Sequence, residues 1–390
     1  MSTGRPVITG VGLCTVLGQD SASTWDALLA GRRVVEHTPI EIDTTTHGSR
    51  VLALASRVVH QAITDAKWDA KTLADDRTAL IVATSKGEIE SWIDASPAAQ
   101  RSRSNKPLDE NLIIPPAGRS HDRWGVGSLA DPIAKELKLG DGPRMTLSAA
   151  CASGLHALIR GCMMLQCEPI DRVLVVAAEA SVHPLFIESF RRLGVLAPPG
   201  FGCKPFDANR SGFVMTEAGA AICLERPSSK TAYASVDRYA LAGDAHHLTA
   251  ADSSGSVLRR TLSDVIAGKS VDFVHAHGTG TVVNDPSELN AIDETLGFLT
   301  TEEDRNVPVY SHKGNLGHTL GAAGLVSVVL SCLMHQRQTV PAIPALNDPL
   351  PAKNCRVAAI PTERHIKRSI NLAAGFGGAT AVVALESTTT

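Results

Sequence analysis

The sequence has few aromatic residues, no paired cysteines and no excess of charge of either sign. Aromatic residues make up 4% of the 390 positions, too few for the stacking platforms that bind single-stranded nucleic acids. The formal net charge is −3, so neither nucleic acid nor an anionic membrane is expected as the main partner. The eight cysteines form no CxxC pair and are scattered through apolar segments, which indicates core residues in a reduced, cytoplasmic compartment.

Targeting and membrane-spanning segments are also missing from the pattern. The N-terminus lacks a basic region followed by an apolar run, so no signal peptide is expected. The longest apolar stretch, residues 321–334, is too short to span a bilayer and is interpreted as a buried helix. What the sequence does contain is 44% hydrophobic residues, enough for a sizeable core.

Short, apolar, β-branched runs alternate with helical stretches along the chain. Runs of this kind predict strands in a sheet that is buried on both faces. The predicted strands are residues 7–9, 79–82, 173–176, 271–274 and 381–385. The predicted helices are residues 23–29, 51–66, 154–166, 287–296 and 322–336. The alternation predicts an α/β fold.

Two segments rich in proline and serine interrupt this alternation. Residues 227–230, Pro-Ser-Ser-Lys, predict a boundary between an N-terminal half, residues 1–226, and a C-terminal half, residues 227–390. Residues 96–124 contain four prolines and a polar run, and predict a surface excursion of the N-terminal half.

A run of small residues around Cys151 precedes the predicted helix of residues 154–166. A helix N-terminus offers free N–H groups and a partial positive charge, and both favour a thiolate. Taken alone, the pattern favours a small buried cysteine at a tight helix start. A single cysteine so placed, with two distant histidines in Gly-rich segments, indicates nucleophilic acyl chemistry.

Those two histidines are His277, followed by Gly-Thr-Gly-Thr, and His318, five residues after Lys313. A helix is predicted just after His318, and a helix start disfavours the imidazolium cation, so a neutral ring that donates from Nε2 is expected. His275 lies two residues before His277 and could share a metal ion with it. No third ligand spacing appears nearby, so no metal site is expected.

With these motifs in view, the chain resembles the β-ketoacyl–acyl-carrier-protein synthases of the elongating, two-histidine type, within the thiolase superfamily. The resemblance runs nearly end to end and lies in residues 5–12, 148–154, 205–214, 277–281, 313–318 and 375–378. It implies a thiolase-like fold of duplicated α/β halves in five layers, helix-sheet-helix-sheet-helix.

The resemblance also implies roles for individual residues. Cys151 would be the nucleophile, and His277 and His318 the catalytic histidines, with Lys313 ordering the site and Glu288 pairing with that lysine. For Glu288 the alternative is a first-turn acid that the helix dipole favours.

Two further sets of residues take roles from the resemblance. Gly375, Phe376 and Gly377 would form the acyl gate and supply an N–H to an oxyanion hole, with the other N–H from Cys151. Thr279 and Thr281 would bind the phosphopantetheine arm, or, alternatively, their hydroxyls satisfy a turn.

The chain departs from the family pattern beside the gate. Relatives usually have Asn-Ser-Phe just before the Gly-Phe-Gly-Gly motif, where this chain has Leu372, Ala373 and Ala374. The lost aromatic bulk predicts a looser gate. Ser211 is a second departure, since relatives usually carry Asp there.

The implied activity is a decarboxylating Claisen condensation on an acyl-cysteine, without metal or organic cofactor. The implied partner is an acyl carrier protein, and a homodimer or a heterodimer with a sister subunit is expected. A non-condensing malonyl decarboxylase or acyltransferase, and a carrier-binding partner subunit, stay open as alternatives.

Overall fold

The computed structural model describes residues 4–89, 93, 125–227, 231–247, 252, 254–298 and 306–388. Within these ranges the strands are β1 (Val7–Thr15), β2 (Thr78–Ala83), β3 (Arg144–Leu147), β4 (Arg172–Glu179), β5 (Ala218–Glu225), β6 (Ala234–Gly243), β7 (Phe273–His275), β8 (Val307–Tyr310), β9 (Thr339–Val340), β10 (Cys355–Val357), β11 (Thr362–Glu363), β12 (Arg368–Ala374) and β13 (Ala379–Glu386).

The α-helices in the same ranges are α1 (Ser21–Leu29), α2 (Arg50–Ala66), α3 (Ala70–Leu73), α4 (Ala130–Glu136), α5 (Ser153–Cys167), α6 (Pro184–Arg192), α7 (Ser256–Ile266), α8 (Asn284–Gly297), α9 (Lys313–Leu316) and α10 (Ala323–Arg337). Short 3₁₀ turns precede α4 and α10, at Val126–Leu129 and Leu320–Ala322.

The main sheet repeats one strand order in its two halves. The N-terminal half runs β3-β2-β4-β5-β1, and the C-terminal half runs β8-β7-β12-β13-β6 with β10 at its outer edge. Taken in chain order within each half, both halves follow the order third, second, fourth, fifth, first. The halves join into one eleven-stranded sheet where β1 pairs with β6, through Val7 with Ser235 and Ile8 with Ala234.

Helices cover both faces of each half. Helix α2 packs on β1, β4 and β5, and α7 packs on β6 and β13 with α8 against it. Between the halves lie α5 and α10, which contact each other and strands of both halves. The duplicated, five-layered α/β architecture is therefore confirmed, although the two sheets are continuous at β1 and β6.

The two central helices cross where their backbones nearly touch. A Cβ on Gly154 would lie 2.4 Å from the Leu325 nitrogen, and one on Gly324 would lie 2.8 Å from the Leu155 nitrogen. Only glycine permits an approach this close. The crossing brings the start of α5, just after Cys151, beside the start of α10, just after His318.

The segment Leu320–Arg337 is long and apolar enough to cross a membrane, and 89% of it is buried inside the protein. The helix predicted there, like the other four predicted helices and the five predicted strands, is present. The excursion predicted at residues 96–124 lies outside the described residues. The boundary at residues 227–230 stays a prediction, since residues 228–230 also lie outside the described residues.

Candidate active site

A cavity of about 300 Å³ lies between the two halves of the fold. Its lining combines the predicted nucleophile, both predicted catalytic histidines, the predicted pantetheine threonines and the gate, namely Cys151, His277, His318, Thr279, Thr281, Gly375, Phe376 and Gly377. Residues more than 200 positions apart in the chain therefore face one space, which a substrate can enter.

Cys151 stands on a strained turn between β3 and α5. The preceding residue, Ala150, has φ +49°, an uncommon conformation for a residue with a Cβ. Ser153 fixes the turn, because its Oγ accepts from Ala149 N–H at 2.9 Å and donates to the Ala150 carbonyl at 2.6 Å. The thiol is thereby held two residues before the first residue of α5.

Burial raises the pKa of the Cys151 thiol to about 11, while the charges of Lys313 and Lys86 act to lower it. The expected preference for thiolate at the helix start is therefore outweighed by desolvation in the unliganded cavity. Burial therefore favours the protonated thiol over the thiolate at this position.

His318 has a defined tautomer. Its Nδ1 accepts a hydrogen bond from the Leu320 backbone N–H at 3.2 Å, at the start of the turn that leads into α10. Burial, and next the charge of Lys313, hold the pKa of His318 well below 6.5. The ring is therefore neutral and carries its proton on Nε2.

His277 is held in the same tautomer by Lys313. The ammonium lies 3.5 Å from His277 Nδ1 and donates to the carbonyl oxygen of His277. Burial, and next Lys313, keep the pKa of His277 well below 6.5. The two imidazole rings stand nearly perpendicular, with centroids 5.7 Å apart. Both rings can donate from Nε2 to one carbonyl oxygen.

Glu288 supports His277 from the backbone and does not form the expected ion pair with Lys313. Its carboxylate accepts from the N–H of His277 at 2.6 Å and of Gly278 at 2.8 Å, and from Asn284 Nδ2 at 2.9 Å. Burial, and next the carboxylate of Asp285, raise the pKa of Glu288 to about 7. Glu288 and Lys313 therefore form no direct ion pair. Instead, both hydrogen-bond to the backbone of His277, Glu288 at its N–H and Lys313 at its carbonyl oxygen.

Asp285 was missed by the sequence analysis, although it begins the same helix. Its carboxylate accepts from Gly280 N–H at 3.1 Å and from Phe206 N–H at 2.8 Å. The motif Asn-Asp-Pro-Ser-Glu after a Gly-rich loop was the available signal, because first-turn acids face the preceding loop.

Thr279 and Thr281 line the cavity, and their hydroxyls bond to each other at 2.9 Å. Thr281 Oγ1 also accepts from Asn284 N–H at 3.4 Å, and Thr279 Oγ1 donates to Asp285 at 3.4 Å. The hydroxyls therefore stabilise a turn at the wall of the cavity, and the role of the two threonines in binding the phosphopantetheine arm stays a prediction.

The Gly-Phe-Gly-Gly segment is the hairpin between β12 and β13. A Cβ on Gly375 would lie 2.8 Å from the Ala149 carbonyl oxygen, so the hairpin rests against the turn that carries Cys151. The Phe376 N–H donates to no backbone acceptor among the described residues, and the Cys151 N–H interacts with its own sulfur, which acts to lower the thiol pKa. Ala374 lines the main cavity and also a small second one of about 40 Å³. The looser gate stays a prediction.

An apolar cluster that the sequence analysis did not identify surrounds Cys151. Its rings come from α6 and from the segment before β5, with Phe190 5.8 Å from Phe213 and 6.1 Å from Phe376. Phe213 also lies edge-on to His318 at 4.8 Å. The cluster provides an apolar wall for an acyl chain on the thiol.

His275 lies behind the site and not in it. Its Nδ1 is 3.0 Å from Ser331 Oγ, and its Nε2 is 2.9 Å from His312 Nδ1. Both ring nitrogens of His275 are thus engaged, and the ring cannot share a metal ion with His277. Among the described residues no group of three or more His, Cys, Asp or Glu side chains is arranged to hold a metal ion.

Comparisons with known proteins agree with this geometry. The models of the β-ketoacyl synthase N-terminal and C-terminal domains match residues 49–230 and 233–347. The chain is 27% identical to the putative polyketide beta-ketoacyl synthase 1 of Streptomyces halstedii, over 98% of this chain and 97% of that protein. It is also 27% identical to the 3-oxoacyl-acyl-carrier-protein synthase 2 of Coxiella burnetii, over 99% of each chain.

Among solved structures, a type II polyketide ketosynthase bound to its acyl-carrier protein and a hexaketide superimposes with a TM-score of 0.84. That match covers 99% of this chain and 100% of the other at 24% identity, and supports the fold. The sequence matches extend over both halves and include the segments that hold the thiol and the two histidines. On that ground the chain belongs to the β-ketoacyl synthase family, whose members are condensing acyltransferases.

Proposed function

We propose that the protein joins an acyl group on Cys151 to a malonyl thioester by decarboxylating condensation, in fatty acid or polyketide-type synthesis. The Cys151 sulfur attacks an acyl thioester, and the carrier thiol leaves with the proton. Loss of carbon dioxide from a bound malonyl thioester then leaves its bonding electron pair as an enolate. The enolate carbon attacks the acyl-cysteine, and the Cys151 sulfur leaves as a thiolate as the β-ketoacyl thioester forms. The thiolate then takes up one proton from water, which restores the thiol.

The tautomers of the two histidines carry this proposal. Nδ1 of His277 and of His318 faces a donor, so each neutral ring presents an N–H at Nε2. Two such donors on one thioester oxygen stabilise the enolate while carbon dioxide leaves. The N–H groups of Cys151 and Phe376, neither of which donates to a backbone carbonyl among the described residues, suit the tetrahedral oxygen of the second step.

Substrates would arrive on the phosphopantetheine arm of an acyl carrier protein, and the chemistry needs no metal or organic cofactor. A homodimer is the default assembly, with a heterodimer as the alternative. The eight free cysteines are consistent with a cytoplasmic location. The presence of Cys151 argues against a carrier-binding subunit without chemistry.

Substitution of the nucleophile separates condensation from decarboxylation. Cys151→Ala should abolish acyl transfer and condensation with little change in melting temperature, because one sulfur leaves a small cavity. Intact-protein mass would report acylation, and labelled malonyl carrier would report carbon dioxide release. Condensation at the wild-type rate in the variant would contradict the mechanism. Decarboxylation without condensation in the wild-type protein would favour the non-condensing decarboxylase.

A further inference from the structure

Lys86 stands in the turn after β2 and extends toward the apolar side of the active site. The turn is fixed on one side by Ser85, whose backbone N–H donates to Glu179 Oε2 at 2.8 Å. On the other side Gly87 has φ +70°, and a Cβ there would lie 2.6 Å from the Gly125 carbonyl oxygen. The backbone on both sides of Lys86 is therefore held against neighbouring segments.

The Lys86 ammonium lies beside two aromatic rings of α6. Nζ is 5.5 Å from the centroid of Phe186 and 6.0 Å from that of Phe190. Both rings belong to the apolar cluster around Cys151, and Phe190 also lines the main cavity. The charge of Lys86 acts to lower the pKa of the Cys151 thiol, as it would at short range. An acyl chain that runs from Cys151 along Phe190 therefore approaches a cation.

This cation has no direct anionic partner in the part of the chain that the structure describes. Its charge acts on the pKa of Glu179. The Glu179 oxygens, however, accept from Ser85 N–H, Gly321 N–H and Ser181 Oγ, and Lys86 forms no ion pair with them. The aromatic faces are a weaker partner for an ammonium than an oxygen acceptor is. The site next to the acyl cluster thus has an unused donor.

We propose that Lys86 selects acyl groups that carry an oxygen acceptor, a carboxylate or a carbonyl, near the distal end of the chain. The inference rests on the proposed function, since it concerns the acyl group on Cys151. The ammonium donates a charge-assisted hydrogen bond to that oxygen. A plain hydrocarbon chain displaces water from the ammonium and returns no hydrogen bond, which disfavours it.

Acylation of Cys151 by three pantetheine thioesters of equal backbone length tests the proposal. The acyl groups are octanoyl, 7-oxooctanoyl and 7-carboxyheptanoyl, and intact-protein mass follows adduct formation. In Lys86→Met the rate with an oxygen-bearing chain, relative to octanoyl, should fall about tenfold or more, as expected for loss of one charge-assisted hydrogen bond. Lys86→Arg should keep the preference, and the oxo and carboxy chains show which oxygen is preferred.

Lys204→Met is the matched control. Lys204 also lies over a ring, 3.9 Å from the centroid of Phe201, but, unlike that of Lys86, its charge is not among the main ones that act on the Cys151 thiol. It should leave the ratio unchanged. An equal ratio in the wild type and Lys86→Met, or a parallel fall with all three thioesters, would overturn the inference while leaving the proposed function in place. Absence of any Cys151 adduct in the wild type would overturn both.

Discussion

Two pairs of buried histidines, His277 with His318 and His275 with His312, differ in which ring nitrogen holds the proton. His277 and His318 accept at Nδ1 and present Nε2–H to the cavity. His275 and His312 have the opposite arrangement. Ser331 Oγ donates to Asn371 Oδ1 at 2.8 Å, so its oxygen accepts from His275 Nδ1–H, and His275 Nε2 accepts from His312 Nδ1–H.

The comparison shows that neighbouring groups, and not residue type, decide what a buried imidazole does. All four rings are neutral, because burial lowers the pKa of each, that of His275 to about 3. A lysine and a helix N–H turn one pair into donors toward substrate. A chain of hydrogen bonds turns the other pair into a link between the segment that ends in His277 and the segment that leads to His318.

The largest effect should come from removing a donor of the first pair. His277→Ala and His318→Ala should each reduce carbon dioxide release from malonyl carrier about a hundredfold or more, because one preorganised donor to the enolate is lost. Acylation of Cys151 should continue at a measurable rate in both. Normal release from either variant would remove that histidine from the mechanism.

A smaller effect, on stability, is expected from the second pair. His275→Leu leaves the buried His312 Nδ1–H without its acceptor, whereas Ser331 keeps its hydrogen bond to Asn371. The unpaired N–H should cost about 1–3 kcal/mol of unfolding free energy. Denaturant titration measures this. Carbon dioxide release at 25 °C should change far less than in His277→Ala. A loss of activity equal to that of His277→Ala at unchanged stability would erase the distinction between the pairs.

The pH dependence of stability sharpens the comparison through a third buried histidine. His335 bonds Ser369 Oγ at 2.9 Å, and burial lowers its pKa to about 4. The pKa of His335 in the folded protein lies below the unfolded value near 6.5. Its contribution to the free energy of unfolding is therefore fully present above pH 6.5 and is lost as the pH falls toward 4. The destabilisation caused by His335→Leu should therefore shrink by up to about 1.4 kcal/mol per pH unit below 6.5.

Comparing His335→Leu with the wild type at each pH is necessary because Glu288 acts in the opposite sense. Burial raises its pKa to about 7, so its contribution is complete below the unfolded value near 4.5 and is lost as the pH rises through 7. Unfolding free energies at pH 5, 6 and 7.5 would suffice. A pH-independent difference would mean that His335 has the same pKa in the folded and the unfolded protein.

The smallest effect is spectroscopic and needs no substitution. Nitrogen-15 spectra of histidine-labelled protein at pH 7.5 should show His277 and His318 protonated at Nε2, and His275 and His312 protonated at Nδ1. Single His→Gln variants assign the signals. One tautomer for all four rings would contradict the hydrogen-bond directions on which the comparison depends.

Residues whose role depends on their own loop were predictable from the sequence. Cys151 lies in a run of small residues, and His277 and His318 lie in Gly-rich segments. Turns of this kind can be recognised from the local sequence. The pairing of strands that are distant in the sequence could not be predicted in this way. Strand β5 consists largely of small residues of low strand propensity and owes its place to pairing with β1 and β4.

The roles of His275 and Glu288 were hidden for the same reason. The hydrogen-bond partner of His275 lies 56 residues away, at Ser331, and no local pattern encodes that distance. Glu288 was expected to contact a lysine 25 positions along, whereas it bonds the peptide just before its own helix. The spacing of motifs identifies candidate site residues more readily than it identifies their hydrogen-bond partners.

The crossing of α5 and α10 has a consequence for how the chain becomes active. Cys151 belongs to one copy of the duplicated motif, and His277 and His318 belong to the other, so neither copy alone contains the whole candidate site. Contacts between copies link residues far apart in sequence, and such contacts form late during folding. Recovery of activity after dilution from denaturant should therefore lag behind recovery of helical signal. The return of turnover would therefore measure when the two halves have docked.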